Sequence, residues 1–168
     1  MDERDLLIES FDRLPQRVRS AVDGLTADQL RWRPDPEANS IGWLVWHLAR
    51  IQDDHVAEVL GADQEWTSGA WAPHFGLATD AMDTGYGHDA ADVARVQPTG
   101  PDVLVAYYEA VADRTRKLLD RVTADRLDRI VDERWDPPVT LGVRLVSVLG
   151  DDLQHVGQAA YVRGLLPG

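Results

Sequence analysis

The sequence predicts an all-α protein, a four-helix bundle with a long crossover connection between helices 2 and 3. Apolar residues recur at helical spacing in four separate stretches. Between the second and third stretches, residues 62–100 are rich in Gly, Pro, Asp and Thr and carry no period. The length, 168 residues without a cysteine, suits one domain that encloses an apolar core without disulfides.

In the first stretch Leu6, Leu7, Phe11, Leu14, Val18 and Val22 mark an amphipathic helix from Glu3 to Val22, with Pro15 as a kink and Gly24 as its end. LTADQLRWRPDPEANS then reads as a loop with one short turn from Thr26 to Leu30, and Ser40 is placed to cap the second helix. That helix, IGWLVWHLARIQDDHVAEVLG, is apolar first and amphipathic later, so it starts buried, ends with a polar face and closes at Gly61. The connection after it, with Trp66, Trp71, Phe75 and Tyr86, has a length more typical of functional loops than of passive linkers.

Asp102 is placed to cap a third helix, with Pro101 at its start and Val103, Leu104, Tyr107, Tyr108, Val111, Leu118 and Leu119 giving its period up to Val122. TADRLDRIVDERWDPPVT holds a short helix or a strand-like turn, interrupted by Pro137 and Pro138. The last helix runs from Leu141 to Arg163 and stops at Gly164. Four amphipathic helices with one long excursion are what a crossover bundle requires, and residues 1–168 are expected to form one domain.

Composition excludes several classes. A net charge of −12 repels phosphate backbones and anionic headgroups, so neither a nucleic-acid nor a membrane partner is expected. The start, MDERDLLIESFDRL, lacks the basic end and apolar run of a leader, and no stretch reaches the ~18 apolar residues that span a bilayer. A cytoplasmic protein is expected. Without cysteine there is no thiolate nucleophile, and any metal must be held by His, Asp or Glu. Neither Ser68 nor Ser147 lies in a Gly-x-Ser-x-Gly elbow, and no phosphate-binding glycine loop is present.

Asp151 and His155 are four apart on the last helix, so their side chains leave one face roughly 5–6 Å apart and can chelate one ion. His47, in the apolar half of the second helix, is a third candidate, and three protein ligands would leave a position open for water or substrate. Spacing alone is met more often by a surface Asp–His pair and a hydrogen-bonded core histidine than by a metal site. Asp152 lies about 100° round the helix and is the weaker ligand. His55, eight residues after His47, reads as a pocket-mouth residue, a proton carrier or a solvated surface histidine, the last favoured; His74 and His88 fall in the connection, where either could close over a substrate but histidines are usually exposed. Trp43 and Trp46 beside His47, and Trp66, Trp71, Phe75 and Tyr86 in the connection, either wall a pocket or pin the loop to the bundle. Gln158 is placed to support the ligands from behind.

Two segments, NSIGWLVWHLARIQDDHVAEVLG and GDDLQHVGQAAYVRGLLPG, resemble the paired motifs of the DinB-like superfamily of metal-binding bundles. In that family a His-Leu on the second helix supplies one ligand, and a pair four apart on the last helix, followed by a Gly-Gln step and a Tyr-x-Arg ending, supplies the others. The resemblance implies that His47, Asp151 and His155 are metal ligands; Trp43, His55, Trp71, His74 and Gln158 are, from their own positions, the candidates to line an adjoining pocket, with packing the safer reading for the aromatics. The commonest family pattern has His where this chain has Asp151; mycothiol-dependent maleylpyruvate isomerases, related to the superfamily, carry a carboxylate there. A carboxylate hardens the site and favours zinc, manganese or iron over copper.

What the resemblance implies is a divalent-metal-dependent enzyme similar to thiol S-transferases. The metal is expected to be zinc, with nickel, manganese or iron as alternatives. The partners are a small-molecule substrate and a low-molecular-weight thiol, with mycothiol suggested by an amino-acid usage rich in Ala, Val, Asp, Gly and Arg with a single lysine, Lys117, as expected from a GC-rich bacterial genome; pairing into a homodimer is compatible. A hydrolase would use the same three ligands. The reading from a different class is a non-catalytic small-ligand-binding or stress-related helical domain with a vestigial metal site.

Overall fold

Asp2 opens the first helix with a capping box: its carboxylate accepts from the Asp5 N–H at 2.8 Å, and Asp5 accepts in return from the Asp2 N–H. The computed structural model describes residues 1–167 and is mostly helical. Where the sequence predicts one kinked helix, the chain forms two, α1 (Glu3–Asp12) and α2 (Leu14–Val22). Pro15 has no N–H to give to the Phe11 carbonyl and its ring crowds that carbonyl, so the ladder breaks at Arg13. The short α3 (Ala27–Arg31) is opened by a second capping box, between Thr26 and Gln29.

Helix α4 (Ile41–Leu60) starts where Ser40 Oγ accepts from the Trp43 N–H at 3.1 Å and ends on Gly61, whose φ of 62° is the left-handed cap. The connection holds α5 (Glu65–Ser68), a 3₁₀ turn (Ala72–Phe75) and α6 (Ala90–Arg95). In α7 (Pro101–Leu119) Pro101 takes the first helical position, but Gly100 is the cap and Asp102 lies one step inside, where its charge still opposes the helix dipole. The segment before the last helix contains both structures the sequence left open: α8 (Ala124–Leu127), then a two-stranded antiparallel ribbon of β1 (Ile130–Asp132) and β2 (Val139–Thr140) bracketing the two prolines. Thr140 caps α9 (Leu141–Gly164), which runs one residue past Arg163 and stops on Leu165.

Helix α4 packs against both α7 and α9, and α2 against the same two helices, so four helical segments surround one core. Trp46, Leu44 and Leu48 meet Leu104 and Tyr107 of α7, Leu145 and Ala159 of α9, and Leu14 and Val18 of α2 in that cluster. Truncating Leu44 or Leu104, each fully buried, costs about 2–5 kcal/mol. Among the described residues no helix is long and apolar enough to cross a membrane.

Candidate metal centre

His47 leaves the buried first half of α4, and Asp151 and His155 leave one face of α9. Because these two helices pack together, one donor atom from each residue lies within 4.8 Å of the other two. The His47 and His155 rings meet edge to face with centroids 4.8 Å apart.

Each imidazole has one nitrogen already engaged. His47 Nδ1–H donates to the Thr84 carbonyl at 2.6 Å, and His155 Nδ1–H donates to Gln158 Oε1 at 2.7 Å. Those bonds fix tautomers in which both Nε2 lone pairs are free. His155 Nε2 faces Asp151 Oδ1 at 3.4 Å, so a lone pair opposes a carboxylate unless a proton or a cation lies between them. Asp151 Oδ2 is buried and has no hydrogen-bond partner. Two imidazoles and a carboxylate with an unsatisfied oxygen fit a divalent cation of the zinc class.

Burial pulls His47 below the ordinary histidine value, against the raising effect of Thr84 and Asp151, which keeps its ring neutral and able to donate a lone pair. Burial also works against charge on His155, but the bonds to Asp151 and Gln158 outweigh it and lift this group above its ordinary value. The His155 and Asp151 side chains are 13% and 29% exposed while His47 is buried, so the centre opens on the side of Asp151.

The return of the connection over α4 builds the wall behind His47. Trp43 stacks on the His47 ring at 4.6 Å and donates its indole N–H to His88 Nδ1 at 3.1 Å. His88 in turn donates from Nε2 to Asp83 Oδ1 at 2.9 Å. Gly85 has φ +89°, and a Cβ built there would stand 2.7 Å from His47 Nδ1, so this position admits only glycine.

Two buried charges one turn further along α4 hold that loop. Arg50 donates to the Asp83 carbonyl at 3.1 Å, the Ala81 carbonyl at 2.9 Å and Gln64 Oε1 at 2.9 Å, and its guanidinium lies over the Trp66 ring. Asp53 accepts the Glu65 and Trp66 N–H groups, each at 2.8 Å, and the Tyr107 hydroxyl at 2.9 Å. Both side chains are wholly buried and 3.6 Å apart, an ion pair further hydrogen-bonded by the loop and by Tyr107 of α7.

A cleft of about 570 Å³ adjoins the centre at Thr84. Its walls include Ile51, His55, Arg144, Arg134 and the exposed Trp135. Arg144 donates to His55 Nδ1 at 2.9 Å and to Asp132 Oδ2 at 2.8 Å, which ties the ribbon to α9. Burial, then the Arg144 charge, lowers His55 to about 4. The ring is therefore neutral near pH 7, and the approach of Asp54 at 3.7 Å is not an ion pair.

The structure thus brings together His47, Asp151 and His155, with Trp43 and Gln158 against them. His55 is not the solvated surface histidine the sequence favoured; it is a half-buried wall of the neighbouring cleft. Trp71 and His74 lie apart from the centre, in a separate hollow with Asp102 and Val103, because the first half of the connection packs on α7, where Trp71 meets Tyr107 at 5.4 Å. Trp66 and Phe75 pin the loop and are fully buried, whereas Tyr86 is exposed on the cleft rim. His88, read from sequence as an exposed loop histidine, is held by Trp43 and Asp83. Asp152 is fully buried, and burial, then its neighbour Asp151, holds its carboxyl well above the usual range. Sequence reasoning missed Thr84, Gly85 and Arg50; Gly85 and Gly87 flag a turn, but a backbone carbonyl carries no sequence signal.

The family model described as Mycothiol-S-transferase matches residues 6–168 of this chain. A crystal structure described as the conserved protein of locus from Enterococcus faecalis is 32% identical, covers 98% of this chain and 97% of its own, and superposes with a TM-score of 0.89. No curated protein matches the chain.

Proposed function

This chain belongs to the mycothiol-S-transferase family, within the DinB-like superfamily, and from that membership we propose that it is a divalent-metal-dependent S-transferase acting with a low-molecular-weight thiol of the mycothiol kind. His47, Asp151 and His155 hold the metal. The observation that carries this reading is their convergence with both histidine Nδ1 atoms tied and Asp151 Oδ2 left without a partner. Zinc is the expected ion, with nickel, manganese and iron as alternatives, and when bound it supplies the Lewis acidity that lowers a thiol's pKa toward neutrality.

The chain's own residues do the rest. Thr84 and Gln158 hold the two imidazoles in the ligating tautomer, and Trp43 shields the His47 ring from water. The cleft beside Thr84 receives the electrophile, with Ile51 and Trp135 offering apolar surface and Arg144 fixed by His55 and Asp132. The transfer forms a sulfur–carbon bond as the electrophile's leaving group departs with the bonding pair, and the thiol proton passes to solvent on the open Asp151 side.

Elemental mass spectrometry on protein purified without a metal-binding tag tests the premise. Near-stoichiometric metal that disappears in His155→Ala, with mycothiol conjugation to a bromobimane or chlorodinitrobenzene acceptor that disappears with it, is the expected result. Protein that takes up no divalent ion after incubation with each one would leave the cleft as a binding site of a non-catalytic domain.

A further inference from the structure

The end of the bundle where α4 and α7 stop and α9 begins holds a hollow of about 150 Å³. It is remote from the metal centre: Leu60 and Leu141, on its walls, are separated from His47 and His155 by roughly 20 Å of helix. Three arginines, Arg121, Arg126 and Arg129, reach it from the segment between α7 and β1. Its other walls, Leu60, Leu118, Leu141 and two valines, are apolar, and no carboxylate lines it among the described residues.

With 29 acidic residues against 17 basic ones, most arginines of this chain are ion-paired. Among the described residues these three are not: Asp120, beside Arg121, is held by Arg116, while Asp125 and Asp128 are exposed and off the walls. Arg126 has one structural duty, donating to the Arg121 carbonyl just past the end of α7 at 3.2 Å. The side chains of Arg121 and Arg129 have no hydrogen-bond partner among the described residues. Three like charges around one small space repel one another, and nothing in the fold offsets that. The backbone that carries them is fixed nonetheless. The Arg129 N–H donates to the Arg126 carbonyl at 3.1 Å, and the Leu141 N–H to the Arg129 carbonyl at 2.8 Å. Gly142 lets α8 approach α9, since a Cβ there would stand 3.3 Å from the Leu127 carbonyl oxygen.

We propose that this hollow binds the phosphate group of a small molecule, at a site separate from the metal centre and independent of the transfer chemistry there. Guanidinium forks match phosphate oxygens in paired hydrogen bonds, and a nearly dianionic group relieves the repulsion of three cations better than a carboxylate does. The hollow is smaller than the about 300–1,000 Å³ that holds drug-sized ligands, so its occupant is small. The apolar floor of Leu60, Leu118 and Leu141 takes a short carbon chain or ring attached to the phosphate. The net charge of −12 turns away polyanions that must lie along the surface, whereas a single phosphate meets the field of the three arginines alone.

Isothermal titration calorimetry on the intact protein at low ionic strength, with inorganic phosphate and phenyl phosphate as probes, tests this. A Kd below about 1 mM is expected for at least one probe. Phenyl phosphate binding about tenfold tighter assigns the site to a phosphomonoester; equal or weaker binding assigns it to free phosphate. Arg121→Gln/Arg129→Gln should weaken binding at least about tenfold. In phosphate-free buffer this variant should melt no lower than wild type, because both side chains are exposed and the repulsion is gone. Arg4→Gln/Arg17→Gln, which removes the same charge from exposed positions elsewhere, should bind as wild type does, and so should His155→Ala. A Kd above about 1 mM for both probes overturns the proposal. So does equal weakening in Arg4→Gln/Arg17→Gln, which would be an effect of net charge only, or loss of binding in His155→Ala, which would place the phosphate on the metal. A lower melting midpoint of Arg121→Gln/Arg129→Gln without phosphate overturns it as well, because the arginines would then serve the fold.

Discussion

The Thr84 carbonyl accepts the Nδ1–H of His47 at 2.6 Å, so a loop residue far along the chain decides which nitrogen of a helix histidine faces Asp151 and His155. Gln158 does the same for His155 from within α9. The two imidazoles are oriented by unlike means, one by a backbone atom that cannot be substituted and one by a side chain that can.

Gln158→Leu keeps the size of the side chain but removes the acceptor for His155 Nδ1. Zinc affinity, measured by competition with a chromophoric chelator, should fall about 10- to 100-fold with no change in helical content. An unchanged affinity would mean that Gln158 does not orient the ring.

Gly85 and Gly87 both have positive φ, at +89° and +79°, but only at Gly85 would a new Cβ meet His47. Each alanine variant should lose about 1–2 kcal/mol to the left-handed backbone. Gly85→Ala alone should also lose metal, because it displaces the ring that Thr84 holds. Urea unfolding gives the first quantity and elemental analysis the second; equal metal content in the two variants would contradict the placement of this loop against His47.

Arg50→Met strips the buried Asp53 carboxylate of its ion pair and frees the carbonyls of Ala81 and Asp83. Destabilisation of about 3–5 kcal/mol is expected from urea unfolding. The loss should be strongly non-additive with that of Asp53→Asn, and simple additivity would show that the two side chains do not act as a pair.

His55 is neutral in the folded chain, lowered to about 4 by burial and Arg144, with Arg134 acting in the same direction and Glu58 and Asp151 against it. Unfolded, it titrates near 6.5. Between those values the unfolded state binds more protons, so this residue makes stability rise with pH, and its contribution is lost as pH falls from 6.5 to about 4. The span corresponds to at most about 3 kcal/mol. His55→Gln should flatten the slope of unfolding free energy against pH in that window by comparison with wild type; parallel slopes would contradict a buried, neutral His55.

What the sequence determined by itself is what local periodicity encodes. The apolar repeats of α4, α7 and α9, the caps at Ser40 and Gly61 and the proline at the start of α7 are visible because a helix repeats every 3.6 residues and its ends leave unpaired backbone groups. The same rule set Asp151 and His155 on one face. It could not separate a pair beside His47 from an isolated surface pair, since that depends on how α4 and α9 pack. Only the tertiary structure decided the rest: the break at Arg13, the ribbon around Pro137 and Pro138, the removal of Trp71 and His74 from the site, the burial of His55 and the approach of Thr84 to His47. Those features hang on the path of residues 62–89 over α4, fixed by Arg50 and Asp53 through backbone carbonyl and N–H groups. Every residue carries such groups, so no pattern of side chains along the sequence marks the ones that will be used.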